Sequence, residues 1–155
     1  MRTDQKGMTL VEILIVVSIL GMLTAMTGAA IRHALRQREN LQAANRLRTA
    51  VSAFQLYASE QGAYPPDRTP AITPPEMSAY YFPYHKIDDW WEEATPLGGQ
   101  WDWDNGYHYD FSVSIHAPDC SIKQLEMFDA MIDDGDLYAG EFRRHGNHYH
   151  FIIEE

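Results

Sequence analysis

A single carboxylate, Glu12, opens a long apolar run that carries no charge and no proline from Ile13 to Ile31. An acid at such a position is costly unless a cation meets it at the same depth, so its placement calls for a positively charged partner. Other constellations could also do chemistry. Asp133, Asp134, Asp136 and Glu141 gather carboxylate oxygens at a density that suits calcium, but the spacing is no EF-hand and a solvated helix end has the same composition. His148 and His150 fall on one face of an expected last strand, with His145 and His116 close by. That pattern reads either as a transition-metal site or as ordinary surface histidines. Asp102 and Asp104 flank tryptophans in a way compatible with a glycosidase acid pair, although surface positions on a hairpin suit them better. There is no Walker loop, dinucleotide-type glycine turn, paired zinc cysteines or nucleophile motif, and nothing in the sequence supports an enzyme.

The elements that would carry these residues begin with a short polar leader, residues 1–7, ending in Lys6-Gly7. Residues 8–31 as helix would reach about 36 Å at about 1.5 Å per residue, enough to span a bilayer. Residues 32–60 continue as an amphipathic helix. Leu41, Ala44, Leu47, Val51, Phe54 and Ala58 form its apolar stripe, and Arg36, Arg38, Glu39, Asn40, Gln42 and Arg46 occupy much of the rest. No glycine or proline interrupts Arg32 to Gln61, so one helix of roughly 80 Å is expected from Met8 to about Glu60. Gly62 and Pro65-Pro66 stop it.

Lys6-Gly7-Met8-Thr9-Leu10-Val11-Glu12 followed by an unbroken apolar helix resembles the class III signal of type IV pilins and type II secretion pseudopilins. The segment Leu56-Tyr57-Ala58-Ser59-Glu60-Gln61-Gly62-Ala63-Tyr64-Pro65 resembles the helix exit of pseudopilins, a second match. The resemblance implies cleavage after Gly7 by a prepilin peptidase, N-methylation of Met8, and a neighbouring subunit's Met8 amine as partner of Glu12. It implies an α+β, pilin-like fold, with residues 61–155 a globular head of small antiparallel β-sheet and short helices. The implied function is a structural subunit of a type II secretion pseudopilus or related type IV pilus-like filament. Its implied partners are the peptidase and methyltransferase, other pilin or pseudopilin subunits, an inner-membrane assembly platform and the lipid bilayer. The implied location is the bacterial inner membrane, single-pass, with the head on the periplasmic or outer side, and then the filament. Some pseudopilins bind calcium in a C-terminal loop, which is the one cofactor the resemblance brings. The chain departs from the pattern at Met8, where phenylalanine is commoner, and in having no proline late in the apolar run. A minor pilin or adhesin-type binding module on the same anchor is the alternative.

Charge is laid out unevenly. The leader is net +1, residues 8–60 are net +2 and residues 61–155 are net -13, so a head that grips nucleic acid through phosphates is not expected. Counting Arg32, Arg36 and Arg38 against the two basic residues of the leader favours a cytoplasmic head, opposite to the orientation the resemblance implies. Cys120 is the only cysteine, so no intramolecular disulfide can staple the head.

Within the head, Thr73-Pro74-Pro75-Glu76 has the form of a capping box starting a short helix to about Tyr81, and Asp88 to Glu93 suggests a helical turn. Gln100–Trp103 and Tyr107–Ile115 alternate as strands around a turn at Asp104-Asn105-Gly106. Ser121 to Gln124 caps a helix with Ile122, Leu125, Phe128 and Met131 or Ile132 inward, ended by Gly135. A last hairpin, Leu137–Arg144 and His148–Ile153, turns at Gly146-Asn147. The head holds seventeen of the nineteen aromatic residues, either as core filling or as an exposed platform, for which Trp90 and Trp91 are the candidates.

Overall fold

The computed structural model describes residues 8–106 and 108–154, without the side chains of residues 25–27 and 29. The leader, Gly7 included, and Tyr107 lie outside the described residues. The chain divides into two compact units, one up to Gln37 and the other Arg38–Glu155. The helix α1 runs over Leu10–Gln61. Its end follows from Gly62, which takes a positive φ of 77° and donates its N–H to the Ala58 carbonyl at 2.8 Å.

In the first unit many of the described large apolar side chains of α1 are exposed. Leu10 is 80% exposed, and Val11, Leu14, Val17, Leu20 and Met22 are exposed with it. Among the described residues no helix is long and apolar enough to cross a membrane. The side chains of residues 25–27 and 29, inside the apolar run, are not among those described.

In the second unit, Arg38–Gln61 of α1 supplies one wall of the core. The buried set is Asn40, Ala43, Ala44, Leu47, Ala50, Ala53 and Phe54. The stripe is therefore rotated from the expected one. Leu41 is exposed and Val51 and Ala58 are only half-buried, while the small Ala43, Ala50 and Ala53 face inward. Alanines bring the helix backbone close to the head, where rings occupy the space that longer aliphatic side chains would fill.

Two short helices follow, α2 (Pro75–Ser78) and α3 (Tyr81–His85). The expected capping box at Thr73 does not form: Pro74 holds the cap position with no side-chain bond, and Thr73 Oγ1 donates to Glu92 Oε1 at 2.9 Å. Asp88 to Glu93 makes the expected turn, with Trp90 and Trp91 both donating backbone N–H groups to Ile87 O. Both tryptophans are buried, so neither forms an exposed platform.

An antiparallel four-stranded sheet has the order β1-β2-β4-β3, from β1 (Gln100–Asn105), β2 (Phe111–His116), β3 (Phe142–His145) and β4 (His148–Glu154). The first hairpin turns later than expected. Asp104 and Asn105 pair with Ser112 and Phe111, and β2 starts at Phe111 rather than Tyr107. The inner face presents Trp101, Trp103, Val113, Ile115, Phe142 and Tyr149 to the core. There Phe54 of α1 stacks on Trp103 with ring centroids 3.9 Å apart.

The helix α4 (Ile122–Ile132) starts as its sequence foretells, with Ser121 accepting from the Gln124 N–H. Leu125 and Phe128 are buried and Ile132 half-buried, but Ile122 and Met131 are exposed. The Gln124 side chain does not close the box. It turns to α1 and donates to Glu39 Oε2 at 3.0 Å and Asn40 Oδ1 at 3.3 Å. Cys120 is half-buried, and burial, helped by Glu39 and Asp119, pushes its thiol up to about 11.

Candidate functional site

At the C-terminal end of α4, Asp129, Asp133 and Asp134 each offer a carboxylate oxygen, all within 4.8 Å of one another. Asp133 Oδ2 accepts from the N–H groups of Glu141 and Phe142, and an added Cβ at Gly140 would collide with that carboxylate. Asp134 Oδ1 accepts from Asp136 N at 2.8 Å, and Asp136 Oδ1 from Tyr138 N at 3.1 Å. Asp129 is fully buried, and neither of its oxygens has a hydrogen-bond partner. Burial pushes its carboxyl up to about 6, helped by Asp133, Asp134 and Asp136. Of the four acids singled out in the sequence, Asp133 and Asp134 are in this group, and Asp136 and Glu141 are not. Asp129 was missed, although the stripe Leu125–Phe128–Asp129–Ile132 places it on the buried side of α4.

The outer face of the sheet is polar and largely closed to water. Strand alternation and register bring Asp102 and Asp104 of β1, Ser112 and Ser114 of β2, and His148 and His150 of β4 to one side. Asp102 and Asp104 are each only 4% exposed, not surface residues as expected, and so neither is open to a polysaccharide. Asp104 Oδ2 lies 3.3 Å from His150 Nδ1, and Ser112 Oγ lies 3.1 Å from the same nitrogen. A Ser–His–Asp relay needs the two partners on opposite ring nitrogens, so this is no catalytic triad.

The two carboxyls are driven apart. Burial, then Asp104 and Asp67, push Asp102 up to about 8. Burial would raise Asp104 too, but the facing His150 and Ser114 side chains and the nearby His148 ring hold it below the usual carboxylate range.

At the amino end of α1, Thr9 and Glu12 satisfy each other. Thr9 N and Thr9 Oγ1 donate to Glu12 Oε2 at 2.7 and 2.8 Å, and Glu12 N donates to Thr9 Oγ1 at 3.3 Å. This is a capping box, and Thr9-Leu10-Val11-Glu12 has the spacing for one, so Glu12 serves its own helix as well as carrying a charge. It starts the helix at Leu10, two residues after Met8. Residues 2–28 match the family model of the prokaryotic N-terminal methylation motif. This is the class III signal of type IV pilins and pseudopilins. No curated protein and no solved structure matches the chain. The signal implies processing by a prepilin peptidase and assembly into pilin-like filaments. Of its residues, Met8 and Glu12 are within the described part of the chain and Gly7 is not.

The Asp102 proton has a measurable consequence. Its carboxyl titrates higher folded than unfolded, so the folded state holds more protons between the two values and stability falls as pH rises toward about 8. Urea unfolding of the detergent-solubilised chain, followed by tryptophan fluorescence from pH 5 to 9, is expected to show a loss of up to about 4 kcal/mol, most of it below pH 8, since one displaced proton counts at most about 1.4 kcal/mol per pH unit. Asp102→Asn is expected to flatten that slope.

Proposed function

We propose that the chain is a structural subunit of a type II secretion pseudopilus or a related type IV pilus-like filament. Prepilin peptidase cuts after Gly7, Met8 becomes the methylated amino terminus, and residues 8–31 lie in the inner membrane until the subunit is extracted. The match over residues 2–28 carries this reading. The apolar side chains exposed along α1 support it, because so many together call for lipid or neighbouring helices rather than water. The alternative, a minor pilin or adhesin-type module, loses Trp90 and Trp91 as a platform and would rest on the exposed Tyr80 and Tyr84.

Glu12 then has two roles. Its carboxylate caps its own helix through Thr9, and its charge pairs with the Met8 amine of a neighbouring subunit. Calcium is the ligand we assign to the aspartate group, which offers hard oxygen donors and no soft one.

Intact mass and N-terminal sequencing, with and without a co-expressed prepilin peptidase, test the processing. A product beginning at methylated Met8 only with the peptidase is expected, and an uncut chain would remove the proposal. Glu12→Gln separates the two roles, since glutamine keeps the cap but not the charge. The variant is expected to be cleaved normally yet to be at least tenfold depleted from the filament fraction; parental levels there would leave Glu12 a capping residue only. For calcium, Asp129→Asn is expected to raise the melting temperature of the metal-free chain and to abolish the upward shift produced by millimolar calcium. No shift in the parent chain would exclude the site.

A further inference from the structure

Five of the seven histidines gather at the outer face of the sheet, outside both the N-terminal signal and the aspartate group. The pairing register sets His116, His148 and His145 in one row across β2, β4 and β3, and His150 stands two residues along β4. His108, from the β1–β2 connection, packs over them. Its ring centroid is 3.6 Å from that of His145 and 5.6 Å from that of His150, while His148 is 5.8 Å from His150.

Two ring nitrogens here are buried without a hydrogen-bond partner, His148 Nδ1 and His150 Nε2. Buried polar atoms are nearly always satisfied, so these two nitrogens are open to a partner from outside the chain. The chemistry of His150 narrows it. Asp104 Oδ2 faces Nδ1 at 3.3 Å, and a proton shared along that contact leaves the lone pair of the ring on the unpartnered Nε2. A carboxylate behind one nitrogen and an open lone pair on the other is the usual support of a metal-bound histidine.

We propose that this face binds an imidazole-preferring divalent transition-metal ion through His150, His148 and His108, with Asp104 orienting His150. Ring centroids 5.6 and 5.8 Å apart can share an ion whose bonds to nitrogen are about 2.0–2.1 Å. The aspartates are the group whose three ligand atoms already lie within 4.8 Å of one another. Binding therefore requires the imidazoles to close on the ion by side-chain rotation, and His148 is half-buried rather than enclosed. Soft-to-borderline ions favour the imidazoles, and hard ones the aspartates.

The test uses the full chain in detergent, without an affinity tag and stripped of metal, titrated with Zn²⁺ by calorimetry and with Co²⁺ by visible absorption. One saturable Zn²⁺ per chain and a nitrogen-ligated Co²⁺ spectrum are expected. His148→Gln and His108→Gln should each weaken Zn²⁺ binding at least tenfold, while His85→Gln and Asp129→Asn leave it unchanged. The half-buried His108 lies outside the strands, so its variant keeps the test open if His148→Gln fails to fold. Absence of saturable binding, binding indifferent to both histidine variants, or binding lost in Asp129→Asn would each overturn the proposal. None of these readings depends on processing or filament assembly, so the site stands or falls apart from the proposed function.

Discussion

The head is built around a ring that belongs to the helix. Phe54 of α1 lies flat on Trp103 at 3.9 Å and has Trp91 and Phe82 each at 5.7 Å, so four aromatic side chains from α1, α3, β1 and the intervening turn meet at one point. Each such pair contributes about 0.5–1.5 kcal/mol beyond its buried area. With a single cysteine in the chain, this cluster does what a disulfide does in many small domains. It also explains the alanines: Ala43, Ala50 and Ala53 must be small for the helix backbone to come near enough for Phe54 to reach Trp103. The second half of α1 is part of the head's core, and the sheet alone would leave its inner face open.

Polar groups are placed with the same economy. Asn40 on α1 and Gln124 on α4 exchange hydrogen bonds at the edge of the core, and Arg48 donates to the Met131 carbonyl at 3.2 Å, occupying an acceptor at the end of α4. Charge behaves differently on the far side of the sheet. Asp102 and Asp104 are two residues apart and equally buried, yet one is driven toward the neutral acid and the other toward the carboxylate, because only Asp104 faces a histidine.

The N-terminal signal was legible because it depends on local order: a glycine, an acid and an apolar run in phase. The α4 cap at Ser121 and the turn at Gly146-Asn147 were legible for the same reason. What failed depended on partners distant in sequence. Alternation around Trp101 and Trp103 implied one buried face, but both faces of β1 are covered, and Asp102 and Asp104 are buried with the tryptophans. Thr73 had the right neighbours for a cap and was claimed instead by Glu92, nineteen residues on. Leu41 looked like core by type, yet the helix turned its alanines inward because the opposing surface is made of rings. Asp129 escaped notice because burial of an acid is legible only once its surroundings are known.

The state of Cys120 bears on where the head can fold. Burial and two nearby acids keep the thiol protonated, far above neutral pH. A protonated thiol is a poor nucleophile and exchanges slowly with disulfides. The head thus needs no oxidant to reach its native form and offers little to an oxidising compartment, so its maturation is indifferent to redox conditions on either side of a membrane.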